Sequence, residues 1–251
     1  MRVVLIGSGN AATVLGRLMK KAGHNIVQVL SRDASNAKEL ADELQCPGVS
    51  YTATIDREAD LYLIAVKDSA LYELNTLFHL GDKLVVHTAG SISKEVLKEI
   101  SHNYGVLYPL QSLRKEMELI PNIPLVVDAN TTEALTFLED FAGTISTMVS
   151  KADDEERLKL HVAAVIVSNF TNHLYMLAEE YCREENVDFK MLLPLIKETA
   201  ERIATHSPAD VQTGPAIRHD IITLDKHIRL LESHKKLRYI YLKLTDSIMN
   251  R

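Results

Sequence analysis

Cysteine is scarce in this chain: Cys46 and Cys182 stand far apart among 251 residues. Neither sits in a metal-ligand spacing, so the sequence offers no disulfide framework and no cysteine metal centre. Such scarcity fits a reducing cytoplasm. Excess positive charge is also missing. Lys and Arg number 28 against 34 Asp and Glu, a net charge of −6, which leaves no electrostatic footprint for nucleic acid. Long apolar runs are absent too. The longest late one, Val162 to Val167, is far below the about 20 residues that cross a bilayer. At the N-terminus, Gly7, Ser8, Gly9 and Asn10 interrupt the apolar run Val3 to Ile6, so no secretory pattern forms. There is no internal repeat and no low-complexity tract. The hydrophobic fraction of 46% and charged fraction of 25% match a soluble globular protein. The length suits one large domain or two ordinary ones.

The first part alternates short β-branched runs with amphipathic helical patterns, the βαβ signature of a parallel sheet. Strands are predicted at Val3 to Ile6, Ile26 to Leu30, Leu61 to Val66 and Leu84 to His87. Shorter ones follow at Gly105 to Tyr108, Leu125 to Val127 and Thr147 to Val149. Helices are predicted at Ala11 to Ala22 (ended by Gly23), Ala34 to Leu44, Ser69 to Phe78, Ser93 to Ile100 and Thr132 to Phe141. Near Ser150 the strands stop. Three long helical patterns follow, about Asp153 to Glu185, Phe189 to Thr205 and Pro215 to Met249. The expected fold is therefore an α/β Rossmann domain over 1–150, doubly wound around a mainly parallel sheet. An all-α domain over 151–251 follows it.

The segment Gly7-Ser8-Gly9-Asn10-Ala11-Ala12 follows the first strand and opens the first helix. This is G-x-G-x-x-A, the dinucleotide fingerprint in its expected context. Gly7 makes the tight turn, Gly9 lets the backbone approach a pyrophosphate, and Ala12 lets the helix lie against the sheet. The helix N-terminus then offers free N–H groups to the phosphates. Ser31-Arg32-Asp33 follows the second strand. A hydroxyl and a guanidinium suit a 2′-phosphate, so NADP(H) is favoured over NAD(H). Asp33 is the competing feature, because one residue of misregister puts a carboxylate at the ribose. Two further strand ends, Ala65-Val66-Lys67-Asp68 and His87-Thr88-Ala89-Gly90-Ser91, point at the same crevice. Ala89 and Gly90 leave room for a flat ring, and Thr88 offers a hydroxyl.

The ordering GSGNAA, SRD, AVKDSAL and HTAGSIS resembles pyrroline-5-carboxylate reductase and its 6-phosphogluconate-dehydrogenase-like relatives. The sequence is most similar to a bacterial family that joins a Rossmann-like NADP oxidoreductase domain to a helical C-terminal domain of unknown function. Tyr108-Pro109-Leu110-Gln111-Ser112, Leu160 to Ala164 with Ser168-Asn169-Phe170, and Thr213-Gly214-Pro215 through Arg218-His219-Asp220 carry that likeness. The resemblance implies a dinucleotide-dependent reductase or dehydrogenase, dimeric through the helical domain, with no assigned substrate. Two departures stand out. Tyr108 replaces a histidine before Pro-Leu-Gln, and His219 replaces a glycine. Tyrosine can still donate a proton, but with an ordinary pKa near about 10 it is a poor base.

On the helix around residue 165, His161, Ser168 and Asn172 fall on one face at about 100° per residue, with Asn169 beside them. The helix is apolar on most sides, as in a buried bundle helix. The polar stripe lines either a wet cleft under the nicotinamide or a hydrogen-bond network across a dimer. His161 titrates near neutrality when unperturbed and is a candidate proton donor. Thr213 is expected at the start of the last long helix with Pro215 in its first turn, placing Arg218 to pair with a substrate carboxylate. Capping plus an Arg218–Asp220 surface pair explains the same residues. His219-Asp220 lacks a second ligand pair, so no metal site is read there.

The expected activity is hydride transfer between NADPH and a small C=O or C=N compound in an interdomain cleft. Gly7, Ser8, Gly9, Asn10 and Ala11 would hold the pyrophosphate, and Ser31 and Arg32 the 2′-phosphate. Ala65, Val66 and Lys67 would line the crevice, with Thr88, Ala89 and Gly90 at the nicotinamide. Tyr108 or His161 would supply the proton; Asn169, Thr213 and Arg218 would anchor the substrate. The alternative is a sensor that binds NADP(H) without turnover. The expected partners are a small-molecule substrate and a second copy of the chain, with no nucleic acid and no membrane.

Overall fold

Apolar β-branched runs spaced by helix-length segments build one sheet, in a computed structural model that describes residues 1–251. Its elements in chain order are β1 (Arg2–Ile6), α1 (Asn10–Lys21), β2 (Asn25–Ser31), α2 (Ala34–Leu44), β3 (Gly48–Ser50), β4 (Leu61–Ile64), α3 (Asp68–Leu74), β5 (Gly81–His87), β6 (Ser101–Pro109), β7 (Leu125–Ala129), α4 (Thr132–Ile145) and β8 (Val149–Lys151). The strand order is β3-β2-β1-β4-β5-β6-β7-β8. All neighbours are parallel except β6 and β7. The order reverses direction at β1, between β2 and β4, which makes the crevice above their carboxyl ends the ligand position of such sheets.

Side chains of β1 alternate between two cores, as the period of a strand requires. Val3 and Leu5 join the layer under α1, α2 and α4, with Leu15, Met19, Leu40 and Phe141. Val4 and Ile6 join the opposite layer, with Leu71, Leu74, Phe78 and Leu97. Both faces are covered, which explains why these strands read as continuous apolar runs.

Around the sheet, some elements differ from the sequence reading. β3 is only three residues long and has no apolar run to announce it. The helix expected from Ser93 to Ile100 is a single 3-10 turn, Lys94–Leu97, because β6 already begins at Ser101. The Ser101 hydroxyl donates to the carbonyls of Gly81 and Lys83, tying that early start to β5.

Beyond the sheet lie α5 (Asp154–Ala164), a π-helical stretch (Val165–Phe170), α6 (Thr171–Glu184), a 3-10 turn (Phe189–Leu192), α7 (Leu193–Arg202), α8 (Ile221–Leu230) and α9 (Lys235–Met249). Asp153 and Glu156 form a reciprocal capping box that starts α5. The pattern from Pro215 to Met249 is two helices, and residues 215–220 are not helical. Gly214 (φ +108°) and His219 (φ +52°) both hold backbone conformations that interrupt a helix. Asp220 then caps α8, accepting from the Thr223 N–H at 3.1 Å and its hydroxyl at 2.7 Å.

The chain divides into two compact units, Met1–Ser168 and Asn169–Arg251. The strands end at Lys151, close to the change of texture near Ser150. The unit boundary falls later because α5 belongs with the first unit, where Arg157 is 1% exposed. No helix is long and apolar enough to cross a membrane.

Candidate functional site

The coenzyme motif takes the geometry its residues dictate. Gly7 has φ +122°, and a Cβ there would lie 2.1 Å from the Ala65 carbonyl oxygen. No other residue fits that turn. The Gly7 N–H donates to the Leu30 carbonyl at 2.7 Å. Gly9 is the N-cap of α1, provides no side-chain cap, and a Cβ on it would meet nothing within 4 Å. Backbone N–H groups at the start of α1 are therefore free of protein side-chain acceptors, which suits a pyrophosphate. The Asn10 carboxamide oxygen accepts from the Lys115 N–H at 3.1 Å, so its side chain braces residues 111–120 against α1. Ala11 follows it, half-buried.

The Ser8 hydroxyl donates to Ser31 Oγ at 2.9 Å, bringing the phosphate loop to the end of β2. Ser31 is the last residue of that strand, and Arg32, exposed, follows at its tip. Asp33 is committed elsewhere. It caps α2, accepting from the Ser35 N–H at 2.8 Å and the Ser35 hydroxyl at 2.7 Å, and these bonds hold its carboxyl below the usual range. The chain thus presents a hydroxyl and a guanidinium for a 2′-phosphate, and no carboxylate free to take a ribose 2′-OH. These residues fit NADP(H).

The ends of β4 and β5 close the other side. Ala65 is buried, Val66 half-buried and Lys67 exposed, just ahead of α3. The Thr88 N–H donates to the Ile64 carbonyl at 3.2 Å. Ala89 and Gly90 are buried behind it. A Cβ at Gly90 would stand 2.7 Å from His161 Nδ1 and 2.9 Å from two ring carbons of Tyr108.

Tyr108 and His161 meet there. Tyr108 Oη and His161 Nδ1 are 3.0 Å apart, with the rings edge to face at 5.9 Å. Tyr108, on β6, is 8% exposed, and His161, on α5, is half-buried. Burial raises the Tyr108 pKa above its ordinary value. The Arg157 charge works against that rise and Asp68 adds to it. The phenol therefore keeps its proton at neutral pH and can donate it to Nδ1. The two candidate proton donors are one hydrogen-bonded pair.

Four residues without a role in the sequence reading, His87, Ser93, Asp154 and Arg157, form a cluster whose Arg157 charge acts on Tyr108. His87, the last residue of β5, is fully buried. Its Nδ1 accepts from the Ala89 N–H at 3.1 Å, and its Nε2 has no hydrogen-bond partner. Burial first and the Arg157 charge second push its pKa down to about 4. Arg157 Nη2 donates at 2.6 Å to the Ile92 carbonyl and at 2.6 Å to Asp154 Oδ1. The other Asp154 oxygen accepts from the Ser93 hydroxyl. The capping box is legible in sequence, but nothing in a helical turn with three acids and Lys159 marks Arg157 as buried.

The remaining predicted residues stand differently. Asn169 is exposed in the second unit, as are Thr213 and Arg218. Thr213 does not begin a helix, because α8 starts only at Ile221 under the Asp220 cap. The uniform 100° spacing from His161 to Asn172 also fails, since π-helical Val165–Phe170 changes the phase between them. Nor is this helix buried all round within the chain: Val162, Ile166, Val167 and Phe170 are all more than half exposed.

The N-terminal region, residues 2–91, matches the family model "NADP oxidoreductase coenzyme F420-dependent". Residues 123–248 match a domain of unknown function, DUF2520. A solved structure from Bacteroides fragilis, described as an NADP oxidoreductase, is 40% identical with TM-score 0.91, covering 100% of this chain and 98% of that one. A pyrroline-5-carboxylate reductase of Streptococcus pyogenes shares the fold at 14% identity and TM-score 0.66, over 100% of this chain and 99% of that one. So does a reductive aminase of Aspergillus terreus, solved with NADPH and ethyl-5-oxohexanoate, at 15% identity and TM-score 0.72, over 99% and 93%. No curated protein matches the chain. Two successive domain matches and full-length identity of 40% converge: the chain belongs to the family of two-domain NADP oxidoreductases that joins a Rossmann-like coenzyme domain to a DUF2520 domain.

Proposed function

We propose that the protein moves a hydride between NADP(H) and a small C=O or C=N compound bound beside Tyr108 and His161. The observation that carries this is the 3.0 Å Tyr108–His161 hydrogen bond, packed on Gly90 at the carboxyl end of β5. When bound, the coenzyme supplies the hydride. The chain supplies the rest. Gly7, Ser8, Gly9, Asn10 and Ala11 bind the pyrophosphate, while Ser31 and Arg32 take the 2′-phosphate. Ala65, Val66 and Lys67 line the crevice, and Thr88, Ala89 and Gly90 flank the ring. In reduction, the oxygen or nitrogen of the substrate gains a proton as its carbon gains the hydride. The Tyr108–His161 pair holds that proton within one hydrogen bond and can be refilled through the half-exposed imidazole. Asn169, Thr213 and Arg218 are the proposed substrate anchors.

A second copy of the chain is the proposed partner, through the helical unit. Within Asn169–Arg251 only Leu177, Cys182, Ala216, Leu224 and Leu231 are buried apolar residues, while Met191, Leu195, Ile221 and Ile222 are at least 60% exposed. A unit this size with so small a core needs its apolar faces covered. The proposed location is a reducing cytoplasm, on the scarcity of cysteine in the chain.

The test is NADPH consumption across a panel of imines, oxo acids and aldehydes, with His161→Ala and Tyr108→Phe alongside. Both variants should bind NADPH like the wild type and lose ~100-fold or more in turnover. Unchanged turnover in both removes the pair from the mechanism. NADPH binding with no consumption across the panel favours the sensor reading.

A further inference from the structure

Burying a guanidinium is expensive unless its donors are matched. Arg157 is 1% exposed, and two of its nitrogens, Nε and Nη1, have no partner. Only Nη2 is satisfied, by the Ile92 carbonyl and Asp154 Oδ1. A purely structural residue at this position would do better as an apolar side chain. The contacts it does make converge on one segment. The Ile92 carbonyl belongs to the turn from Thr88 to Ser93. Asp154 holds the end of that turn, through the Ser93 hydroxyl and, at 3.2 Å, the Lys94 N–H. One helical turn after Arg157, His161 packs on Gly90 in the same segment and bonds Tyr108. The first two turns of α5 thus grip the turn at three successive points: Gly90, Ile92 and Ser93.

We propose that Arg157 is a positioning residue of the reaction. It fixes the Thr88–Ser93 turn against the nicotinamide position and holds the Tyr108–His161 pair in register with it. This rests on the hydride-transfer reading above. The buried cation also acts on two titratable neighbours. It opposes the rise that burial imposes on Tyr108, and it helps hold His87 neutral. The charged and titratable groups facing Tyr108 are Arg157 and His161 from α5 and Asp68 from the start of α3. Those facing His87 are Arg157, Asp154 and Asp68.

The experiment compares the full-length protein with Arg157→Gln and Arg157→Lys. It uses amide hydrogen exchange over residues 88–94, tyrosine-ring NMR titration of Tyr108, NADPH titration and steady-state turnover. Arg157→Gln should speed exchange in the turn at least 10-fold while amides of α4 stay unchanged. It should move Tyr108 ionisation to higher pH, and lower kcat at least 10-fold with NADPH affinity within 3-fold. Arg157→Lys should restore the Tyr108 titration but not the protection of the turn, since one ammonium lacks the forked reach of a guanidinium. If Arg157→Gln does not fold, Ser93→Ala, which leaves the charge in place, must by itself speed exchange in the turn. Exchange over 88–94 and Tyr108 titration both unmoved in a folded variant overturn the proposal. The first two readouts need no substrate, so an inactive wild type sinks the hydride-transfer reading and leaves them standing as a separate test.

Discussion

Gly90→Ala is the sharpest perturbation of the site, because the added methyl group has one place to go. Built on the existing backbone, its Cβ would stand 2.7 Å from His161 Nδ1 and 2.9 Å from the Tyr108 ring. Ordinary contact begins near 3.4 Å, so either the turn or the pair must move by about 0.7 Å. Gly90 does not have a positive φ, so the backbone itself accepts alanine and the penalty is steric. Overpacking of this kind costs about 1–3 kcal/mol, which for a chain of this length lowers Tm by roughly 2 to 4 °C per kcal/mol. The kinetic effect should be larger. Misplacing reacting groups by about 1 Å costs about 100-fold, so kcat should fall 10- to 100-fold. The residues proposed for the pyrophosphate and the 2′-phosphate are untouched, so NADPH affinity should change little. Turnover is measured by NADPH consumption, affinity by fluorescence titration, and the Tyr108–His161 bond by the imidazole NMR shifts. Wild-type kcat in a variant whose imidazole shifts have changed would show that the pair takes no part in the chemistry.

Arg32→Ala should weaken NADPH binding by ~10- to 100-fold, the loss of a charge-assisted pair, and leave NADH binding unaltered. An equal loss for both coenzymes would move the 2′-phosphate contact elsewhere. Asp33→Ala should lower the denaturant midpoint through the lost helix cap, without changing coenzyme preference. His87 has a folded pKa lowered to about 4 from an ordinary 6.5. Between these values the unfolded chain binds the proton that the folded chain refuses, so stability falls as pH drops from 6.5 towards 4, by up to about 3 kcal/mol. Above pH 6.5 neither state is protonated and the penalty vanishes. In a folded His87→Gln variant, denaturant midpoints should lose that part of their acid slope; identical slopes would place the effect on another group. Ile222→Glu, at a residue 72% exposed in the chain, should halve the mass measured by sedimentation, and an unchanged mass would put the second copy on another face.

What the sequence discloses follows from how local the cause is. The Gly7 turn, the start of α1 and the alternation of β1 between two cores depend on neighbours within a few residues, and each reads directly from its residue types. The order of Ser31, Arg32 and Asp33 reads only in part. The cap Asp33 gives Ser35 is a two-residue event, yet deciding that it wins over a ribose contact requires seeing where β2 stops. His219 shows the limit of periodicity. The helical pattern read from Pro215 runs on past it, but with its positive φ residues 215–220 stay out of the helix, which starts at Ile221. Arg157 is not legible at all. Its own helix offers Asp154, Glu155, Glu156 and Lys159, the pattern of a solvated face. It is buried instead with His87 and the Ile92 carbonyl, some 65 residues earlier in the chain. A charge whose environment is assembled wholly from distant segments leaves no periodicity to read. Unmatched donors at such a charge mark the chemistry of the site as its reason for being there.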